Sequence, residues 1–272
     1  MGSLKDFQSH FGFQTALPFT REIPVDKHFR LPFLGEGVDA LVSAVNKRQS
    51  AGAIGPAGSG KTSLIRLLRS RLPEARYRTH YVKVTDLSKR DLCREIAAVM
   101  DITPAGSYPM LVRRLQERCL ATHDTDGLRP VLLLDDVHDM RPEVLGLLCV
   151  LTNFEMDSRL VLSVVLVGQP ALRRMLRREE LEDVAGRLAH IVTLRLFSRD
   201  ETTAYIKHRV TVSGARTTPF DEDALTALYE GSRGNMRAID TLALKTLELA
   251  HAAGAKVADA NHVIEARKLV AP

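Results

Sequence analysis

The chain has 272 residues and a net charge of +5, with 45% hydrophobic, 26% charged and 5% aromatic residues and no tryptophan. This composition is typical of a soluble globular protein with an ample core, and the few aromatic side chains argue against a stacking platform for single-stranded nucleic acid. The longest apolar stretches are too short to cross a bilayer, and residues 1–13 lack the apolar core of a signal peptide. We therefore expect a cytoplasmic protein without a membrane span.

The first 45 residues form a lead-in that contains the phrases FGF, LPF and again LPF. The prolines predict an extended segment that packs on a core, followed by a helix over 37–49. We place a domain boundary after residue 45. The cysteines have no disulfide or metal spacing, so we expect buried, unreactive thiols in a reducing compartment at Cys93, Cys119 and Cys149.

Residues 55–62 read GPAGSGKT and lie between a short apolar run and a helical pattern. Glycines at this spacing permit a tight turn whose backbone N–H groups point inward, and the following helix adds its positive dipole end. The lysine would reach the β- and γ-phosphates of ATP, and the threonine would offer a hydroxyl to Mg²⁺. The candidate nucleotide-binding residues are Gly55, Pro56, Ala57, Gly58, Ser59, Gly60, Lys61, Thr62 and Ser63.

Strands alternate with helices from residue 46 to 197, which predicts a parallel sheet with helices on both sides. The predicted strands are 51–54, 80–84, 131–134, 160–167 and 191–196. The predicted helices in this region are 63–72, 89–100, 109–121, 142–154 and an arginine-rich helix after 170.

From residue 198 to 272 only helical patterns follow. Ser198 and Glu201 form a capping box that opens a helix ending near residue 212. Further helices are predicted at 221–229, 236–253 and 259–269. A parallel sheet followed by a small all-helical lid is the layout of a two-lobed ATPase.

Two carboxylates, Asp135 and Asp136, end the buried strand 131–134. A charge at the carboxyl end of a parallel strand emerges beside the phosphates, so Asp135, with Thr62, is the candidate Mg²⁺ site. Asp136 stands where a general base would orient the attacking water. Gln169 follows the next strand, and its position suits both a contact to the γ-phosphate and a polar turn.

The whole chain resembles the ExeA/TniB group of AAA+ ATPases, allied to the transposition regulators TnsC and MuB. The resemblance rests on the lead-in, on GPAGSGKT, and on four later phrases. These are Leu151–Phe154, Leu166–Pro170, Tyr205–Arg209 and Gly234–Arg237. It implies an AAA+ three-layer sandwich with a helical lid. It also implies that Gln169 is a sensor, Arg187 an arginine finger acting on a neighbouring subunit, and Arg237 a lid sensor.

The chain departs from the group at Asp135-Asp-Val-His138, where the group usually reads Asp-Glu-Ala-Gln. Aspartate is one methylene shorter than glutamate, so we expect slow hydrolysis. His138 is interpreted as a structural residue beside the site.

The resemblance favours an ATP-loaded ring or helical filament that binds double-stranded DNA without reading its sequence and activates a transposase, with a target-selection protein as a further partner. The matching DNA-contact positions are Lys89, Arg90 and Ser107. A basic face at Arg173–Arg178 is an alternative DNA surface, although Glu179 and Glu180 favour an ordinary charged surface. Two other functions stay open: a secretion or envelope-assembly ATPase acting on protein partners, and a nucleotide-gated switch that scarcely hydrolyses ATP.

Overall fold

The computed structural model describes residues 4–15, 17–20, 27, 29 and 31–270. These residues form two compact units. The α/β unit contains residues 32–56 and 61–194. The helical unit contains the described residues of 1–31 together with 57–60 and 195–270, so the central residues of the P-loop group with it.

The α/β unit is built on a parallel sheet of five strands in the order β2-β3-β4-β1-β5. The strands are β1 (Ser50–Ile54), β2 (Tyr77–Lys83), β3 (Arg129–Asp135), β4 (Ser163–Gly168) and β5 (Leu188–Thr193). β1 and β4 are buried along their whole length, because helices cover both faces of the sheet centre. The predicted α/β architecture with a parallel sheet is confirmed.

Short 3₁₀ turns occur at Val137–Asp139 and Glu179–Leu181, and the α-helices are numbered α1 to α13 in chain order. They are α1 (Leu4–Phe11), α2 (Pro32–Asn46), α3 (Lys61–Arg71), α4 (Lys89–Val99), α5 (Tyr108–Asp124), α6 (Pro142–Leu145), α7 (Leu147–Thr152), α8 (Pro170–Met175), α9 (Glu182–Gly186), α10 (Arg199–Val212), α11 (Glu222–Ser232), α12 (Met236–Ala252) and α13 (Ala260–Val270).

Several predicted boundaries were wrong. The helix expected at 142–154 is split into α6 and α7 at Gly146, a residue type that weakens a helix interior. β4 starts at Ser163, where its ladder to β3 begins, although Val161 and Leu162 are buried. β5 starts and ends three residues earlier than predicted, because it ends beside the last residue of β1, Ile54.

The lead-in also differs from its prediction. Residues 4–11 form helix α1 and not an extended segment, because Phe7 and Phe11 lie one turn apart and both pack against His251 of α12. α2 begins at Pro32, five residues before the predicted start, and proline suits the first turn of a helix.

The predicted burial of the thiols is confirmed at two of three positions. Cys93 and Cys119 are buried, and burial raises the pKa of each thiol, to about 11 and about 12 respectively. Cys149 is only partly buried, because it lies on α7 beside Arg187.

The helical unit opens with the predicted capping box. Ser198 Oγ accepts the Glu201 N–H at 3.2 Å, and the Glu201 carboxylate accepts the Ser198 N–H at 2.8 Å. A buried polar network then joins helices α10 and α12, in which the Tyr205 hydroxyl donates to Asp240 at 2.8 Å and Arg209 donates to that hydroxyl at 2.7 Å. These contacts join α10 to α12 at Asp240, one turn after the start of α12.

Candidate nucleotide-binding site

The P-loop begins at the end of β1 in the α/β unit. Its first N–H, that of Gly55, donates to the Gly168 carbonyl at 3.1 Å and so joins the loop to the end of β4. Lys61, the first residue of α3, is only 8% exposed, and its ammonium donates to the Gly55 and Pro56 carbonyls at 3.0 and 2.8 Å. The lysine is therefore folded back over its own loop, with its charge directed at the turn.

The tip of the loop, Ala57–Gly60, belongs to the helical unit. Gly58 and Gly60 have φ values of +73° and +89°, which favour glycine. The side chain of Asn235 donates to the Ala57 carbonyl at 2.8 Å, and the Met236 N–H donates to the Gly58 carbonyl at 2.9 Å. The tip is thus held by the start of α12.

Asp135 ends β3 and is only 4% exposed. Its carboxylate accepts the Tyr81 hydroxyl at 3.2 Å and the Asp136 N–H at 2.9 Å. Burial, reinforced by the nearby Asp136 charge, raises the pKa of Asp135. Burial, together with the Asp135 carboxylate, raises the pKa of Tyr81 to about 12. A buried carboxylate with a raised pKa is a group whose charge a cation would stabilise.

Asp136 has a left-handed backbone, with φ of +59°, and lies between β3 and the 3₁₀ turn Val137–Asp139. Its carboxylate lies 3.6 Å from the Lys83 ammonium. Lys83 is the β2 residue in register with Asp135, so it lies at the same end of the sheet. Sequence reasoning did not identify Tyr81 or Lys83; the parallel alignment of strands 77–83 and 129–135 was the signal available for both.

Gln169 follows Gly168, which is the β4 partner of Ile54 at the end of β1. It occupies the N-cap position of α8, but its side chain makes no capping hydrogen bond. A Cβ at Gly168 would lie 3.3 Å from the backbone N of His138, so the 3₁₀ turn after β3 packs closely there. The imidazole of His138 is nearly buried, which fits its structural interpretation.

The two arginines lie in different units. Arg187 follows α9 in the α/β unit, and its guanidinium forms two parallel hydrogen bonds to the Asp157 carboxylate, at 2.8 and 2.5 Å. The side-chain hydrogen bond to Arg187 lowers the pKa of Asp157. Arg237 lies in the first turn of α12 in the helical unit and is exposed, two residues after Asn235.

These residues fit a nucleotide and Mg²⁺. The Ser59 hydroxyl is buried and, within the described part of the chain, has no hydrogen-bond partner, which is what a buried donor facing a phosphate would show. Thr62 is exposed at the start of α3, and Asp135 supplies one carboxylate. Mg²⁺ usually keeps several waters and takes only one or two protein carboxylates beside phosphate oxygens, so Thr62 and Asp135 would be the residues to hold it.

The DNA-contact candidates lie elsewhere on the α/β unit. Lys89 and Arg90 form the first turn of α4, and Ser107 is the N-cap of α5. Arg90 donates to the Gly106 carbonyl at 2.9 Å, so the structure brings it beside Ser107. Arg114 donates to the Ala105 carbonyl at 2.9 Å and adds a second cation to the same loop.

Comparisons with known proteins relate this chain to nucleotide-binding AAA+ ATPases. The family model described as an AAA domain matches residues 45–176, which contain the P-loop and both aspartates. General secretion pathway protein A of Aeromonas hydrophila is 33% identical over 205 residues, covering 74% of this chain and 37% of the relative. This chain therefore spans little more than a third of that protein.

Solved structures share the fold at low sequence identity. Cdc6p from Pyrobaculum aerophilum superposes with a TM-score of 0.76 at 19% identity, covering 93% of this chain and 70% of that one. The ORC1 protein of Aeropyrum pernix, solved in complex with DNA, gives a TM-score of 0.68 at 16% identity, covering 91% and 68%. The chain has the P-loop AAA+ fold, and together these matches support an AAA+ ATPase.

Proposed function

We propose that this chain is an ATP-dependent regulator of DNA transposition. It would assemble on target DNA as a ring or filament, bind the duplex without reading its sequence, and recruit or activate a transposase. The DNA part is supported by the hydrogen bond from Arg90 to the Gly106 carbonyl, which joins the first turn of α4 to the loop before Ser107. The P-loop and Asp135 carry the nucleotide part.

The nucleotide roles follow from the contacts at the sheet edge. Lys61 would exchange the two loop carbonyls for the β- and γ-phosphates, since a bound polyphosphate offers it a full opposite charge. Thr62 and Asp135 would hold Mg²⁺, which neutralises charge on the phosphates during transfer. Asp136 would orient the attacking water, with Gln169 beside it as a γ-phosphate sensor.

The arginines supply the charge that balances the transition state. An arginine fork suits this task because it can donate two hydrogen bonds to one phosphate. Arg187 is proposed to act on the nucleotide of a neighbouring copy, and Arg237 to respond to nucleotide through the start of α12, which already holds the P-loop tip.

Charge and helix polarity support the proposed DNA surface. Two cations in the first turn of α4 oppose the positive end of the helix dipole, so helix stability does not explain them. Lys89 is exposed and, among the residues described, makes no ion pair, whereas Arg90 uses one nitrogen on the Gly106 carbonyl. Backbone amides at the start of α5 and the Ser107 hydroxyl suit phosphate oxygens. The Aeropyrum pernix ORC1 protein, which has the same fold and was solved in complex with DNA, supports DNA as a ligand of this chain.

Duplex binding measured against salt concentration tests this proposal. Binding should require ATP or a non-hydrolysable analogue, should not depend on sequence, and should weaken steeply as salt rises. The double variant Lys89→Ala/Arg90→Ala should reduce the salt dependence by about two phosphate contacts per subunit while ATP binding is retained. Arg66→Ala/Arg69→Ala, which removes two exposed arginines of α3, is a charge-matched control.

Two results would contradict the proposal in different ways. Wild-type affinity and salt dependence in the double variant would move the DNA surface, with the Arg173–Arg178 face as the next candidate. A wild-type protein that binds no duplex in the presence of ATP would exclude the transposition function.

The second candidate is a secretion or envelope-assembly ATPase that acts on protein partners. It is favoured by the 33% identity to general secretion pathway protein A. No helix in the described part of the chain has the length and apolar character needed to cross a bilayer. A wild-type protein that assembles with ATP but binds no DNA would support this candidate. A gene for a transposase next to the gene for this chain would support the first candidate.

A further inference from the structure

A strained loop projects from the α/β unit between α7 and β4. Residues 153–159, here called the Met156 loop, fold back so that Phe154 and Arg159 form an antiparallel bridge. Glu155, Met156 and Asp157 have φ values of +48°, +57° and +63°. This region is unfavourable for a non-glycine residue, so three in succession persist only where their surroundings fix them.

Polar contacts fix this loop. Arg159 pairs with Glu155 at 3.1 Å and also contacts Asp124 at the end of α5. The Asn153 side chain accepts the Asp157 N–H at 3.1 Å, which orients the carboxylate of Asp157 toward its partner. These contacts therefore stabilise the left-handed backbone of the loop.

The loop displays an apolar side chain at its tip. Met156 is 94% exposed, and Val150 and Leu160, close to it in the chain, are 46% and 53% exposed. Charged residues flank Met156 on both sides. An apolar centre with a charged rim is the usual composition of a protein contact surface, and methionine is enriched in such surfaces.

The same loop engages the arginine that is proposed to act across a subunit boundary. Both terminal nitrogens of Arg187 donate to the Asp157 carboxylate. While this pair is intact, the charge of Arg187 is balanced within its own subunit. Arg187 can deliver its full charge to a phosphate only after Asp157 has been displaced.

We infer that the Met156 loop is a contact surface for a second copy of this chain, and that Asp157 restrains Arg187 until that copy docks. The inference rests on the proposed role of Arg187 in a neighbouring active site. Charge complementarity favours a second copy as the occupant, because an anion must replace Asp157 at Arg187 and each copy would present ATP phosphates at its own P-loop. The exchange replaces one anionic partner with another.

The test is the specific ATPase activity of the full chain measured against protein concentration. Asp157→Asn should reach half-maximal activity at about fivefold lower protein concentration, the effect of removing a competing ion pair of this exposure. Met156→Ser should need about tenfold more protein, because docking then buries less apolar surface. Both should reach the wild-type maximum, whereas Arg187→Ala should stay inactive at every concentration.

Matched controls exist on both units. Asp39→Asn removes an exposed carboxylate paired with Arg71, and Leu269→Ser removes a side chain that is 63% exposed on α13. Both should follow the wild-type curve. Sedimentation velocity with ATP supplies a second measurement, in which Met156→Ser should assemble less than wild type.

Each contrary result points to a different error. An Asp157→Asn protein that is as inactive as Arg187→Ala would show that Asp157 positions the arginine. An Asp157→Asn protein with the concentration curve of wild type would show that Asp157 does not restrain Arg187. Either result overturns the inference. A Met156→Ser protein that assembles like wild type would exclude the contact. If wild-type activity is independent of concentration and Arg187→Ala matches it, the proposed role of Arg187 fails, while sedimentation still tests the contact.

Discussion

Replacing Gly58 by alanine tests whether the start of α12 holds the P-loop tip. Gly58 has a φ of +73°, and a Cβ built there would lie 2.0 Å from Asn235 Oδ1. Asn235 would have to leave its place. That side chain caps α12 by accepting the Ala238 N–H at 3.2 Å and donates to the Ala57 carbonyl at 2.8 Å. The substitution therefore adds backbone strain and removes two polar contacts.

The magnitudes follow from these three terms. An alanine in the left-handed region costs about 1 kcal/mol, a lost asparagine cap about 1 kcal/mol, and a lost hydrogen bond about 1 kcal/mol. Gly58→Ala should lower the free energy of unfolding by about 3 kcal/mol and Asn235→Ala by about 2 kcal/mol. The double variant should cost only about 3 kcal/mol, because the clash disappears with the asparagine side chain.

Urea denaturation of the nucleotide-free variants, followed by far-ultraviolet circular dichroism, measures these differences. Gly254→Ala is the matched control, because Gly254 has a φ of +71° in the same unit with nothing within 4 Å of its built Cβ. It should show the backbone cost alone. Additive losses in the double variant, or a Gly58→Ala loss equal to that of Gly254→Ala, would refute the proposed contact.

Three further predictions concern single residues. Lys61→Ala should abolish ATP binding in a fluorescence titration, because it removes the charge directed at the phosphates; retained affinity would refute the site. Asp136→Asn should bind ATP normally but hydrolyse it more slowly in a single-turnover assay, and equal rates would exclude Asp136 as the base. Glu201 has a pKa lowered to about 2, chiefly by Arg195, which is 54% exposed. A lowered pKa stabilises the fold above the ordinary value near 4.5, and this is lost as pH falls toward 2. Glu201→Gln should therefore cost about 1 kcal/mol at pH 7 after solvent screening and nothing near pH 2, as urea midpoints at both pH values would show.

The sequence was sufficient to predict the parallel sheet, and it also predicts the centre of the candidate site. Apolar runs such as 131–134 are long enough to identify buried strands, and the glycine spacing at 55–62 admits few conformations other than a phosphate-binding turn. The capping box at Ser198 was equally local, since its partners lie three residues apart. These features were predictable because each depends on only a few consecutive residues.

Contacts between distant segments were not predictable in this way. Lys83 reaches Asp136 only through the register of β2 and β3, and Asp157 reaches Arg187 only because three successive residues adopt the left-handed conformation. Aspartate is enriched in that conformation, so Asp157 gives a weak signal, but Glu155 and Met156 give none. The backbone is imposed by partners far along the chain.

These distant contacts give the proposed catalytic charges a common arrangement. Asp136 is paired with Lys83, and Arg187 with Asp157. Both partners are partly or largely exposed, and ion pairs of this kind are worth about 1 kcal/mol or less. A phosphate can therefore replace Asp157 at Arg187, and Asp136 can leave Lys83, each at small cost. In the free subunit the pairs still balance both charges. The exposed pairs thus suit a protein whose charges change partners during assembly, which is why the Asp157→Asn concentration curve is the most direct measurement of that coupling.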